Sequence, residues 1–249
     1  TYSNNVEILK IFAEVLVLES RYLESIDAYY KLYETDPTNY SYLHIIADSY
    51  IEVGRIEDAK NLLTKLILLG DLNQDILFNL ATIEVELGEF EQAITHYLMA
   101  MEIGDPSIEL HYNLAMSYAQ IGNYMQALLA FQNAYKMNLN DNDVIFQISM
   151  CYKELEVYSE SIKYLNLFIN NTAEDYLTLY LMGELYFLIE DYKNSEFYLK
   201  KALAINSQDS MCLYYLGMCS FSMDDFVNAA KYFKRSIKIN PDYAGTHFN

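Results

Sequence analysis

An all-α chain of tandem helix–turn–helix units is the fold that this sequence predicts, on three observations. Apolar side chains recur at spacings of three and four, which lines one face of an α-helix. The same pattern, two short amphipathic helices and a turn, returns every 34 residues along the 249-residue chain. Three prolines and eight glycines are too few for an all-β or disordered chain, and 53% hydrophobic residues are ample for a core. No such helix pair buries its apolar face alone, so neighbours have to stack into one continuous core.

Ile108 to Asp141 shows the unit most clearly. In its first half Leu114, Ala115 and Tyr118 form an apolar stripe, and Ala115 is small where a second helix must come close. Gly122 ends that helix, because a residue just past a helix C-terminus often takes φ > 0, which glycine does without strain. In the second half Tyr124, Ala127, Phe131 and Ala134 share a face.

Seven tandem 34-residue units form a single array over 1–249: 6–39, 40–73, 74–107, 108–141, 142–175, 176–209 and 210–243. Residues 1–5 read as the last turn of an earlier unit, and 244–249 as the start of an eighth. The first unit keeps Phe12, Ala13, Tyr22, Ser25, Tyr29 and Leu32 and closes at Asp36-Pro37. The second has Ile46, Ala47, Tyr50, Gly54, Ala59 and Leu63; the third has Leu80, Ala81, Gly88, Phe90, Ala93, Tyr97 and Ala100. The fifth is looser, with Ile148, Ser149, Tyr152, Tyr158, Ser161 and Leu165, and its bulky Phe168 predicts wider local packing. The sixth carries Met182, Gly183, Tyr186, Tyr192, Ser195, Leu199 and Ala202. The seventh carries Leu216, Gly217, Phe226, Ala229 and Phe233 and closes at Asn240-Pro241.

This pattern resembles the tetratricopeptide repeat. His111, Leu114, Ala115, Tyr118, Gly122, Tyr124, Ala127, Phe131 and Ala134 stand at that family's signature places in turn. His111 departs where a bulky apolar residue is usual, and Leu139 stands where proline is common. The resemblance implies a right-handed α-solenoid, a superhelix whose first helices line a concave groove. Glu84 and Ser220 depart from the place where Tyr50, Tyr118, Tyr152 and Tyr186 supply a ring. Glu84 is expected at solvent, since acidic residues are seldom fully buried. The family's closing polar helix is missing, so Phe226, Phe233 and Ile237 are expected to be partly open. The chain begins without Met and stops in mid-pattern, which predicts a piece of a longer protein.

A net charge of −19 disfavours nucleic acid and anionic membrane surfaces, both of which it would repel. It suits a basic partner, and it also suits plain solubility. The apolar runs are far short of a membrane span, which predicts no membrane insertion, and no signal peptide is visible. Cys151, Cys212 and Cys219 read as buried free thiols, since Cys212 and Cys219 lie seven apart on one helix, too far to bridge. Free thiols favour a reducing compartment, the cytoplasm. His44, His96, His111 and His247 lack metal-ligand spacing, and there is no C-x-x-C pair, phosphate loop or nucleophile elbow. No catalytic, cofactor-binding or metal-binding residue is assigned, and the chain is expected not to be an enzyme.

What remains is surface. By the resemblance, the first helix of each unit lines the groove, mainly through its second, fifth, sixth, ninth, twelfth and thirteenth places. The fifth places read Lys10, His44, Phe78, Tyr112, Phe146, Tyr180 and Tyr214, aromatic from the third unit onward. The ninth read Glu14, Asp48, Thr82, Met116, Met150, Glu184 and Met218, and the sixth carry Asn79, Asn113 and Gln147. Rings give large contact for little lost rotamer entropy, methionines adapt, and amides pair with an extended backbone.

The expected peptide-binding residues are therefore Phe78, Asn79, Tyr112, Asn113, Met116, Phe146, Gln147, Met150, Tyr180, Tyr214 and Met218. The alternative is that several of these rings pack on adjacent helices. Asn79 and Asn113 favour the groove, because a dry core would demand partners for their amides. The groove is graded: Glu7, Glu14, Asp48, Glu52, Asp75 and Glu86 face Leu177, Leu181, Phe187, Met211, Tyr215 and Phe221 at the other end. Lys231, Lys234, Arg235 and Lys238 lie in the seventh unit's second helix and are expected on the outer side.

The basic clamp of chaperone-tail-binding members is matched only by Lys10. The asparagine ladder of glycosyltransferase-associated members is matched by Asn79 and Asn113, with Gln147 near, but not by Ile11, Ile45, Leu181 or Tyr215, so neither subtype is supported. The expected function is a protein–protein interaction scaffold for a partner protein or peptide with basic and apolar segments. The alternatives are a self-assembling oligomer joined through its terminal repeats, and the targeting arm of a larger multidomain protein.

Overall fold

The computed structural model describes residues 2–241, with side chains from residue 5. Within that range helices follow one another without a strand. They are α1 (Tyr2–Leu18), α2 (Tyr22–Thr35), α3 (Ser41–Glu52), α4 (Ile56–Leu68), α5 (Gln74–Glu86), α6 (Phe90–Ile103) and α7 (Ile108–Gln120). Then come α8 (Tyr124–Met137), α9 (Asn142–Glu154), α10 (Tyr158–Asn171), α11 (Tyr176–Leu188), α12 (Tyr192–Ile205), α13 (Ser210–Ser222) and α14 (Phe226–Ile239). The architecture is an all-α solenoid of tandem helical repeats, and its even-numbered helices start every 34 residues, from Tyr22 to Phe226.

The turns keep the same period. Ser20, Gly54, Gly88, Gly122, Glu156, Glu190 and Asp224 all have positive φ, between 57° and 77°. At the Gly54 turn the Gly54 amide donates to the Ile51 carbonyl (3.0 Å) and the Arg55 amide to the Tyr50 carbonyl (2.8 Å). These bonds occupy carbonyls that the end of the helix would leave unpaired. Glu156 and Val157 make the same two bonds, to Lys153 and Tyr152, without a glycine. Glycine thus marks only three of the seven turns; elsewhere a residue with a Cβ takes the left-handed conformation.

The chain divides into two compact units, Thr1–Ile121 and Gly122–Asn249. In unit 1 each helix from α1 to α7 packs on the next. Leu16, Leu32, Leu43, Ile46, Ala47, Ala59, Leu63, Leu66 and Ile76 form its buried interior. In unit 2 the same succession runs from α8 to α14, around Leu165, Met182 and Leu185 and around Leu179, Leu199, Ala202, Cys212 and Leu216. A Cβ at Gly183 would lie 2.5 Å from Leu199 Cγ, and one at Gly217 2.5 Å from the Phe233 ring. The corresponding places in unit 1 hold Ala47 and Ala81, both fully buried. Serines at small core places are satisfied: Ser195 Oγ donates to the Gly183 carbonyl (2.7 Å) and Ser161 Oγ to that of Ser149 (2.8 Å).

One boundary is corrected. Residues 2–5 do not close an earlier helix but belong to α1, which runs unbroken from Tyr2 to Leu18. No glycine or proline separates Asn5 from Val6, so nothing stops the helix there. Thr1 and the start of the eighth unit lie outside the described residues. Phe226 and Ile237 are exposed, whereas Phe233 is half-buried against Tyr214, 5.9 Å between ring centroids.

Candidate functional site

All eleven sequence-predicted residues stand on odd-numbered helices, and all are half-buried. In unit 1, α5 carries Phe78 and Asn79, and α7 carries Tyr112, Asn113 and Met116. The Phe78 ring packs on Tyr97 of α6, 5.7 Å between centroids. Tyr97 is buried, and its hydroxyl is 3.1 Å from Thr82 Oγ1. Burial nonetheless pushes the Tyr97 hydroxyl above its ordinary pKa. Phe78 also lines a hollow of about 250 Å³ with Asp75, Asp105 and Glu109. Exposed Glu7, Glu14, Asp48, Glu52, Asp75 and Glu86 make this unit's odd helices acidic.

In unit 2, α9 carries Phe146, Gln147 and Met150, α11 carries Tyr180, and α13 carries Tyr214 and Met218. Phe146 packs on Phe168 of α10, 5.3 Å apart, which is where the bulky Phe168 is accommodated. Tyr180 stacks on Tyr176 and meets Tyr215 edge-on, each at 6.1 Å. Tyr214 lies 5.9 Å from both Tyr215 and Phe233. The rings therefore do pack within the array, as the alternative reading expected, but none is fully buried. Each is held by its neighbours and keeps part of its surface outward.

Cys151, Cys212 and Cys219 are buried free thiols. Burial pushes them up to about 12, about 12 and about 11 respectively, far from the thiolate range that reactive cysteines need. Among the described residues no group of three or more His, Cys, Asp or Glu could hold a metal, and no helix is long and apolar enough to cross a membrane.

Sequence profiles described as tetratricopeptide repeat match residues 46–107, 108–141, 176–209 and 210–243, together well over half of the chain. The chain belongs to the tetratricopeptide-repeat family. No curated protein matches it. Among solved structures, a tetratricopeptide repeat protein from Parabacteroides merdae aligns at 20% identity over 98% of this chain and 97% of its own, with a TM-score of 0.65. The C-terminal part of a repeat-containing protein from Cytophaga hutchinsonii aligns at 14% identity over 96% and 98%, with a TM-score of 0.73. YrrB, described as a TPR protein with an unusual peptide-binding site, aligns at 16% identity over 89% and 97%, with a TM-score of 0.54. Tetratricopeptide repeats are protein-interaction modules, generally non-enzymatic.

Two features of these tetratricopeptide repeats escaped sequence reasoning. Glu84, expected at solvent, is 2% exposed, and His96 Nδ1 lies 2.7 Å from its Oε2. A partner twelve residues away on the paired helix makes the burial tolerable, and nothing in a one-dimensional pattern shows that His96 reaches it. The second is an ion pair in unit 2. Lys153 Nζ of α9 lies 2.6 Å from Glu184 Oε2 of α11, with side chains 22% and 17% exposed. Tyr215 of α13 donates its hydroxyl to Glu184 Oε1 at 3.4 Å. A usable signal was present: Glu184 is the only Asp, Glu, Lys or Arg in α11 and α13 together.

Proposed function

We infer that this chain is a non-enzymatic scaffold whose odd-numbered helices take a peptide segment of a partner protein, extended or helical. In unit 1 the contacts are Phe78, Asn79, Tyr112, Asn113 and Met116; in unit 2 they are Phe146, Gln147, Met150, Tyr180, Tyr214 and Met218. One observation carries the reading: all eleven are half-buried on those helices. Phe78, Phe146, Tyr180 and Tyr214, each packed on a neighbouring ring, lose little further freedom when a ligand covers them. The acidic odd helices of unit 1 suit basic stretches of a partner, and the aromatic ones of unit 2 suit apolar stretches. The peptide-binding site in YrrB's description is in keeping with this use of the fold. Three buried free thiols favour a reducing compartment, the cytoplasm.

The test is a pull-down from the source organism's lysate, wild type beside a Tyr112→Ala, Phe146→Ala variant of matched thermal stability. Each alanine at a central ring is expected to cost on the order of 2 kcal/mol of affinity if it is a hot spot. A partner held equally by both proteins moves the interface elsewhere.

A separate observation favours a second reading, self-association through the terminal repeats. Ile8, Ile11 and Leu18 on α1 and Phe226 and Val227 on α14 are exposed apolar side chains. Light scattering at several concentrations decides: a strict monomer removes this reading.

A further inference from the structure

We propose that unit 2 holds a socket for one cationic side chain, a lysine or arginine of a partner segment, centred on Glu184. The proposal rests on the peptide-binding reading above and names what one part of that face recognises. Glu184 is the single charged residue of α11 and α13. Tyr180 and Phe187 lie four residues before it and three after it, so both share its side of the helix. Tyr215 of the neighbouring α13 meets the Tyr180 ring at 6.1 Å and the Phe187 ring at 5.3 Å, and its hydroxyl bonds the carboxylate. All four residues are half-buried. A carboxylate set among aromatic rings matches an ammonium or guanidinium group: the acid supplies the opposite charge, and each ring the negative face of its quadrupole.

A cation already sits there. Lys153 is the only lysine or arginine on α9, α11 and α13, and its Nζ is the group 2.6 Å from Glu184 Oε2. It stands in for the ligand. Its flexible four-carbon stem lets the ammonium swing to water when a partner's cation takes its place. The opposite assignment, Lys153 gripping a partner's carboxylate, meets an obstacle that the socket does not: a chain of net charge −19 repels anionic segments.

The socket and a merely structural ion pair predict different responses. The probe is a random peptide library displayed on phage, selected on the full chain and on three variants: Glu184→Gln, Lys153→Met and the two combined. The combined variant replaces the pair by neutral groups of similar shape, a change that commonly preserves the fold. Selected peptides are then synthesised and titrated by fluorescence polarisation.

Wild type is expected to select a lysine or arginine at one fixed place in an apolar frame. Changing that residue to norleucine, or using Glu184→Gln, should weaken binding about tenfold, the size of one charge-assisted contact. Lys153→Met should tighten it by about threefold or more, because the resident competitor is gone. The combined variant should behave as Glu184→Gln does. Peptides that lose binding in a Met150→Ala, Met218→Ala variant yet carry no fixed cation, or ignore Glu184→Gln, would overturn the socket and leave the peptide-binding face standing. A library that yields no binder, or only binders indifferent to every one of these changes, would sink both.

Discussion

Unit 1 and unit 2 place the same kinds of residue in their interiors, while α1, α3 and α5 of the one and α11 and α13 of the other carry opposite chemistry. Leu63 in α4 and Leu199 in α12 lie four 34-residue periods apart, and both are buried. Outside the core the likeness ends. The odd helices of unit 1 expose Glu7, Glu14, Asp48, Glu52, Asp75 and Glu86, while α11 and α13 of unit 2 hold one charged residue between them. Core and surface are under different constraints. Packing dictates size and polarity at buried places and leaves the rest open. A repeat can therefore hold its backbone period while its surface is refitted unit by unit.

The largest test asks whether the two interiors are equivalent. Leu63→Ala and Leu199→Ala should each cost about 2–5 kcal/mol in urea unfolding, the range for a buried leucine truncated to alanine. A clearly smaller loss at one of them would mean that the two interiors are not equivalent. A reciprocal swap probes the closer helix approach of unit 2. Gly183→Ala puts a methyl against Leu199 and should cost about 1–3 kcal/mol, although alanine is the better helix former. Ala47→Gly in unit 1 should cost about 1 kcal/mol, through helix propensity. If Gly183→Ala is stabilising, the close approach is absent.

The buried pair of unit 1 comes next. His96→Ala strips the Glu84 carboxyl of its partner, and a loss of about 1–3 kcal/mol is expected by thermal unfolding, the cost of an unsatisfied buried polar group. No change would mean that Glu84 reaches water in solution. The smallest effect belongs to the turns. Glu190→Gly should stabilise by about 1 kcal/mol or less, since the left-handed conformation strains a residue with a Cβ while glycine's freer unfolded chain offsets part of the gain. Gly88→Glu in unit 1 should move stability the other way by about 1–2 kcal/mol.

The sequence made the fold legible because a core position repeats its demand every 34 residues, and Leu63 and Leu199 answer it alike. It was less legible where a demand can be met in several ways. The left-handed turn residue is glycine at 54, 88 and 122, but Ser20, Glu156 and Glu190 take the same conformation with no signal in their identity, and Asp224 with only a weak one. Glu84 looked exposed because a lone carboxylate is costly to bury; His96 becomes its partner only once α5 and α6 are packed. The proposed face residues are placed by their register on the first helices. How far each ring turns inward depends on neighbours such as Phe168 and Phe233, which single positions do not reveal. Lys153 and Glu184 lie 31 residues apart, so their pairing emerges only when α9 and α11 stand side by side.

On the proposed function, partner recognition lies on the odd-numbered helices and the even-numbered ones serve as scaffold. Site-specific photo-crosslinking tests it most directly. A benzophenone amino acid is placed singly at Met116, Met150 or Met218 on odd helices, and at exposed Leu129 or Phe197 on even helices. Each protein is irradiated in the source lysate. One common partner band is expected from the three methionine positions and none from Leu129 or Phe197. The same band from Leu129 or Phe197, with none from the methionines, would contradict it.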